Sequence, residues 1–309
     1  TQTYDPAAQA NPPALAPEVG ELTLLPAEAE SVQSRIVFSA MDSSVAGPIE
    51  EQFAKAGKTV LTNAKNHRMD PDVPLVIPEI NADHMALIAT QRAARDWQGA
   101  IVANANCSAT VAAMALAPLQ ERFGINTIFL STMQAISGAG YAGVSSFAIL
   151  DNVIPYISGE EDKVETEPRK ILGHWDGSRF VPAEMRISAQ TNRVPTIDGH
   201  LMTISLSLRK HDANFLERIR EAIETFIGEP QKIGLPSAPR RPLHYIDEPD
   251  RPQTRLDRDR EHGMAVSVGR LRPCPLLDLR MVALVHNTIR GAAGAAILNA
   301  ELLEAKGLL

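Results

Sequence analysis

Residues 35–62 read RIVFSAMDSSVAGPIEEQFAKAGKTVLT: an apolar run, a longer stretch with apolar residues at helical spacing, and a second short apolar run. Residues 35–40 predict a buried strand, 45–56 a helix closed by Gly57, and 59–62 another strand. The alternation continues outward. Residues 75–77 are a short apolar run, 83–97 have a helical pattern, 100–103 predict a strand, and 108–123 a helix that stops at Gly124. Parallel neighbours need long crossovers over one face of a sheet, so this alternation predicts a doubly wound α/β arrangement.

Beyond about residue 150 the pattern changes. Residues 200–208 alternate, with Met202, Ile204, Leu206 and Leu208 on one face and Thr203, Ser205 and Ser207 on the other, which suits a half-covered strand in an antiparallel sheet. Leu216, Ile219, Ile223 and Phe226 give a core helix over 213–227, closed by Gly228. Residues 234–260, rich in Pro, Arg and Asp, read as an extended surface loop. Strands at 264–268 and 277–285 and a small-residue helix at 288–306 complete the chain. Residues 1–30 are rich in Pro, Ala and Glu without periodicity, and with Thr1 in place of an initiator Met the expectation is a start within a longer protein.

The chain has 309 residues, 44% hydrophobic and 22% charged, enough for one large core or two ordinary ones and too apolar for a disordered chain. A net charge of −7 argues against nucleic acid or an anionic membrane as the main partner and favours a small molecule. No apolar run is long enough to span a bilayer, no secretory start is present, and two distant cysteines exclude a disulfide framework, so a cytoplasmic address is expected. No metal-ligand spacing stands out.

The segment Asn104-Ala105-Asn106-Cys107-Ser108-Ala109-Thr110 places a thiol where a buried strand meets a long helix. Free N–H groups there favour a thiolate and can stabilise an oxyanion, although a lone Cys is commonly a small buried hydrophobe. A strand at 127–132 then ends in Gln134-Ala135-Ile136-Ser137-Gly138-Ala139-Gly140, whose glycines let a ligand approach the backbone. Eight histidines could serve as acid or base: His67, His84, His174, His200, His211, His244, His262 and His286. His200, following the turn-like Arg193–Gly199 stretch into a strand, is preferred and His67 is its competitor. Cys274 lies between two prolines with no helix terminus to activate it and reads as structural.

N-x-x-C-S, S-T-x-Q-A-x-S-G-A-G, R-V-P-x-x-x-G-H and H-N-T-I-R-G-A-A-G-A-A, in that order over residues 34–309, resemble the aspartate-semialdehyde dehydrogenase family. AKNHRMDPDVPLVIPEIN and GEEDKVETEPRKILG resemble its archaeal and fungal branch. The resemblance implies NADPH-dependent reduction of 4-aspartyl phosphate to aspartate 4-semialdehyde, on the route to lysine, threonine and methionine. It implies Cys107 as nucleophile, His200 as acid/base and Gln134 as the group orienting the acyl intermediate. Arg193 would bind the α-carboxylate, Glu167 the ammonium, and Lys170 with Arg68 the phosphate, with Asn106 nearby. For Glu167 and Lys170, an i,i+3 surface ion pair is an equally ordinary reading.

For the fold, the resemblance implies α/β architecture. It divides the chain into an incomplete doubly wound, Rossmann-like NADP-binding domain (1–106 and 287–309) and an α+β catalytic and dimerisation domain (107–286) with a largely antiparallel sheet. A homodimer or homotetramer would follow. The G-A-T-G type turn that the family carries ahead of its first helix is not among these residues, and Gly138–Gly143 is no substitute because it follows the catalytic Cys. The expected cofactor contacts are therefore Ser39, Ala40, Ser137, Gly138 and Asn287. A fragment of a complete enzyme, a shortened non-catalytic paralogue, and a malonyl-CoA reductase of the same family remain open as alternatives. A Cys hydrolase would leave the dehydrogenase motifs unexplained.

Overall fold

The computed structural model describes residues 17–309 apart from Tyr141 and residues 177–179. Its first half alternates β1 (Ile36–Ser39), α1 (Ser43–Lys55), β2 (Thr59–Thr62), β3 (Leu75–Val76), α2 (Leu87–Arg95), β4 (Ala100–Asn104) and α3 (Cys107–Phe123). The four strands form one parallel sheet in the order β1-β2-β4-β3. β2 and β4 are buried along their whole length, as unbroken apolar runs require when both faces are covered. Asp42 starts α1 by accepting the main-chain N–H of Ser44 at 2.9 Å.

The second half contributes β5 (Ile125–Gln134), α4 (Glu160–Ile171), β6 (Arg186–Arg193), β7 (His200–Leu208), α5 (Phe215–Glu224), β8 (Leu243–Ile246), β9 (Val266–Pro273), β10 (Leu279–Val285) and α6 (Gly294–Ala305). Its six-stranded sheet runs β8-β9-β10-β7-β5-β6, antiparallel through its middle, with parallel pairs β8·β9 and β5·β6 at the two edges. Met202, Ile204, Leu206 and Leu208 of β7 face the core and Thr203 is exposed, as the alternation predicts. The core between the sheets is built on α3. Its Val111, Leu116 and Leu119 share one cluster with Ile101 from the small sheet and with Ile128, Leu206 and Met281 from the large one. Truncating a buried leucine in such a place costs about 2–5 kcal/mol. At the end of the chain α6 returns to the small sheet, where Asn299 donates to Val76 O at 3.3 Å and Asn104 Oδ1 at 2.7 Å.

Several expectations need correction. Residues 234–260 are more than a surface loop, because they contain the edge strand β8 and the buried Asp257, which accepts from both Arg251 and Arg260. The charges that suggested solvent pair with one another, the buried Asp257 carboxylate meeting the partly exposed Arg251 and Arg260. The 213–227 helix ends at Glu224, and a separate turn, Glu229–Ile233, follows Gly228. The 288–306 helix opens with a π-turn, Ile289–Ala293, before α6 begins. Cys274 has no helix terminus, but the main-chain N–H of Leu276, opposed by burial and helped by the Leu277 N–H and the Ser205 hydroxyl, holds its thiol below the ordinary value.

Candidate active site

β4 delivers its chain to the start of α3, where Asn106 is the N-cap. Its Oδ1 accepts the N–H groups of Ser108 at 2.9 Å and Ala109 at 3.1 Å, so Cys107 becomes the first helical residue. Cys107 lies on a cavity of about 660 Å³, bounded by the end of β1, the 63–68 loop, the end of β5, the start of α4 and residues 287–292. Burial pushes its thiol up to about 12 and Glu160 adds to this, while Arg68, the Ser108 N–H and Arg193 work the other way. Burial thus favours the protonated thiol in the unliganded site.

Behind it the π-turn shows why H-N-T-I-R-G has its glycine. The N–H of Gly291 donates to His286 O and that of Ala293 to Thr288 O, each at 3.1 Å. This wider turn brings Gly291 so close that a Cβ there would lie 2.6 Å from Cys107 Cβ.

The end of β5 organises the opposite wall. Gln134 is buried on the cavity and donates to Thr132 Oγ1 at 3.2 Å. Ala135 accepts from Arg193 Nη1 at 2.7 Å through its carbonyl and donates its N–H to His200 Nδ1 at 3.1 Å. Burial, with Arg193 alongside, pushes His200 down to about 3 despite Glu160. Gly138 is confined by the same two side chains, since a Cβ there would lie 2.9 Å from His200 Nε2 and 3.0 Å from Arg193 Nη1.

One face of α4 carries Glu160, Lys163, Glu167 and Lys170. Glu160 accepts from Asn106 Nδ2 and Lys163 Nζ, both at 2.9 Å, and both residues line the cavity. Burial opposes ionisation of Glu160, but Lys163 and Asn106 hold its carboxyl below the ordinary range, so it is an anion. Glu167 is buried, accepting the Asn106 N–H at 2.7 Å and Arg68 Nη1 at 3.0 Å. Lys170 gives its three protons to the carbonyls of Arg68, Asp70 and Val73 at 2.8, 2.7 and 2.8 Å.

The expectation that Glu167 and Lys170 face the ligand is thereby corrected. Their hydrogen bonds are committed inside the protein, and the E-x-x-K pair on the cavity is Glu160 and Lys163. Arg68 does line the cavity, braced by Glu167 and by Asn63 O at 2.7 Å. Asn106 also lines it, with both side-chain ends in use, so it positions Cys107 and Glu160.

Ser137, Gly138 and Asn287 line the cavity, and Asn287 ties the wall together by donating to Ser137 Oγ at 2.9 Å and accepting the Gly199 N–H at 2.8 Å. Ser39 and Ala40 do not. Ser39 is buried with its hydroxyl donated to Glu50 at 2.5 Å, and the cavity is reached instead by Met41, Asp42 and Ser43. His67 also lies outside the cavity wall, with Nδ1 3.0 Å from Asp70 and Nε2 3.8 Å from Glu50. Among the described residues no cluster of three or more His, Cys, Asp or Glu side chains is arranged for a metal. No described helix is long and apolar enough to cross a membrane.

Residues 7–88 match the NAD-binding domain of semialdehyde dehydrogenases and residues 116–290 their dimerisation domain. The aspartate-semialdehyde dehydrogenase of Candida albicans is 47% identical over 294 residues, 91% of this chain and 80% of that one. This chain belongs to the aspartate-semialdehyde dehydrogenase family. The Schizosaccharomyces pombe aspartate-semialdehyde dehydrogenase is 49% identical over 280 residues, covering 89% of this chain and 78% of its own. Among solved structures, aspartate-semialdehyde dehydrogenase with NADP from C. albicans superposes with a TM-score of 0.88 at 43% identity, covering 97% of this chain and 87% of that one. The Vibrio cholerae aspartate-semialdehyde dehydrogenase II, at 23% identity and TM-score 0.73 over 90% of this chain and 81% of that one, shares the fold.

Proposed function

We propose that the chain catalyses the reversible, NADPH-dependent reductive dephosphorylation of L-4-aspartyl phosphate to L-aspartate 4-semialdehyde, with Cys107 as nucleophile. The observation that carries this reading is the charge pattern around the thiol. Arg193, Arg68, Lys163 and Glu160 line one cavity with Cys107, and they complement a ligand bearing a carboxylate, a phosphate and an ammonium. Arg193 is assigned the α-carboxylate, Glu160 the ammonium, and Lys163 with Arg68 the phosphate. Gln134 orients the acyl group, while Glu167, Lys170 and Asn106 hold these residues in place. A malonyl thioester has no ammonium, so Glu160 favours the amino-acid donor over the CoA alternative.

On the nucleotide side, Ser43 at the start of α1 and Ser137, Gly138 and Asn287 would hold NADP. A Cβ at Gly140 would meet nothing within 4 Å, which leaves room for a flat group beside this loop. Bound NADPH supplies the hydride. We assign residues 1–106 and 287–309 to the nucleotide-binding unit, supported by the return of α6 to the small sheet. Residues 107–286 form the catalytic and dimerisation unit. A homodimer, with a homotetramer as the further possibility, a cytoplasmic location, and no nucleic-acid or membrane partner complete the reading.

The test is NADPH formation from aspartate semialdehyde and phosphate by the wild type and Cys107→Ala, with malonyl-CoA-dependent NADPH oxidation measured in parallel. Phosphate-dependent activity that disappears with Cys107 supports the reading. Activity with malonyl-CoA alone moves the substrate, and silence in both assays from folded protein points to a non-catalytic relative.

A further inference from the structure

We propose that the buried Glu79–Arg290 ion pair positions the nucleophile, with Arg290 anchoring the π-turn whose Gly291 packs against Cys107. The proposal deepens the reading above and rests on it. Both residues belong to sequence stretches already singled out, Pro78-Glu79-Ile80-Asn81 and His286-Asn287-Thr288-Ile289-Arg290-Gly291, yet neither lines the cavity that holds Cys107. Among the described residues Arg290 is the largest side chain wholly shielded from solvent. Its Nη2 donates to Glu79 Oε2 at 2.5 Å and lies 3.6 Å from Met114 Sδ, about two turns along α3 from Cys107.

The course of the segment shows what the pair holds. Asn287, Thr288, Gly291 and Ala292 line the cavity, whereas Arg290 runs the other way, into the core. Its anchor is itself fixed. Glu79 sits in the short turn Pro78–Asn81 after β3, where the Asn81 side chain donates to Leu75 O and accepts the Ile77 N–H, both at 2.9 Å. Gly228 closes on the turn from outside, since a Cβ there would lie 2.3 Å from Glu79 Cα. The pair therefore ties the wall behind Cys107 to the edge of the small sheet.

Stability alone does not account for it. Two charges withdrawn from water cost more than apolar side chains of the same volume, and replacing such a pair by apolar residues is often neutral or stabilising. Here one hydrogen bond joins the charges, and Arg290 Nε, Arg290 Nη1 and Glu79 Oε1 have no partner among the described residues. What apolar residues would not supply is direction. A charge-assisted bond holds the guanidinium to one point. The next residue, Gly291, then stays in a place so close to Cys107 that an added Cβ would lie 2.6 Å from its Cβ.

The test compares Arg290→Met with Glu79→Met/Arg290→Met by thermal unfolding, by NADPH formation from aspartate semialdehyde and phosphate, and by iodoacetamide labelling read from peptide masses. Arg290→Met leaves Glu79 buried without its cation and should lower both the melting temperature and kcat. In the double variant the melting temperature should return to within about 5 °C of wild type, while kcat stays down about tenfold or more and KM for either substrate changes less than about threefold. A double variant with a smaller loss of kcat overturns the proposal, whatever its stability. One as unstable as Arg290→Met also overturns it, because the pair would then serve folding, and so does a loss carried by KM. The labelling needs no substrate, so it separates this proposal from the choice of acyl donor. With the first turn of α3 freed, the buried Cys107 should label about fivefold faster or more in the double variant while Cys274 labels as before, and an unchanged Cys107 rate overturns the proposal.

Discussion

Gly291→Ala tests whether the nucleophile is positioned by backbone contact. The added Cβ would sit 2.6 Å from Cys107 Cβ and 3.1 Å from its Cα. Carbon atoms in contact prefer about 3.5–4.0 Å, so the overlap is on the order of 1 Å. Neither neighbour can swing aside, because Cβ and Cα move only with the first turn of α3, and Gly291 is tied by its own N–H to His286 O at 3.1 Å. Overpacking of this kind costs about 1–3 kcal/mol, and a reacting atom displaced by about 1 Å loses roughly 100-fold in rate. The variant should therefore fold with a melting temperature lower by several degrees and a kcat down about 100-fold, with KM for aspartate semialdehyde changed much less. NADPH absorbance gives the kinetics and thermal unfolding monitored by circular dichroism the stability. A variant with kcat within about threefold of wild type would show that the sulfur position does not depend on this contact.

Three further outcomes are expected. Lys170→Met leaves three buried main-chain carbonyls without their donor, and at about 1–3 kcal/mol each the loss should reach several kcal/mol, read from denaturant unfolding together with a raised KM for phosphate. Glu160→Gln should raise KM for aspartate semialdehyde about tenfold or more, whereas an unchanged KM would remove Glu160 from ammonium recognition. Burial pushes Lys170 from its ordinary 10.5 down to about 8, against the pull of Asp70, Asp72 and Glu167. The unfolded chain then binds more protons between those values, so stability should rise by about 3 kcal/mol from pH 8 to 10.5 through this group, and the slope should vanish in Lys170→Met.

The parallel sheet was legible because its strands are apolar runs punctuated by Gly57 and Gly124, signals that survive without tertiary context. β6 was not. Its buried positions are Ala189, Thr191 and Arg193, so no apolar alternation marks it, and Arg193 is tolerated inside because Ala135 O accepts from it and Glu160 favours its charge. β8 was hidden by the prolines and paired charges around it. Cys107, Gln134 and Arg193, which line the cavity, stand out in the sequence because each sits at an element end within a distinctive local motif; His200 stands out in the same way but is not among the cavity-lining residues. Glu160 and Lys163 do not, because E-x-x-K occurs twice in α4, seven residues apart and so on the same helical face. Only the three carbonyls around Lys170 and the main-chain N–H on Glu167 show which copy is committed internally.

That doubled pattern couples the two ends of the helix. With Glu160 and Lys163 on the cavity at one end, and Glu167 and Lys170 bonded to the 68–73 loop two turns on, α4 is fixed at both ends. If Glu160 reads the ammonium and Arg68 the phosphate, as proposed, a force that rolls or slides the helix at the first is felt at the second. Recognition of the two substrate groups should then fail jointly, and a double-mutant cycle between Glu160 and Arg68 should show a coupling energy well above the error of additivity, about 0.5 kcal/mol. Relaxing the enzyme toward donors without an amino group would require re-seating this helix as well as replacing one carboxylate.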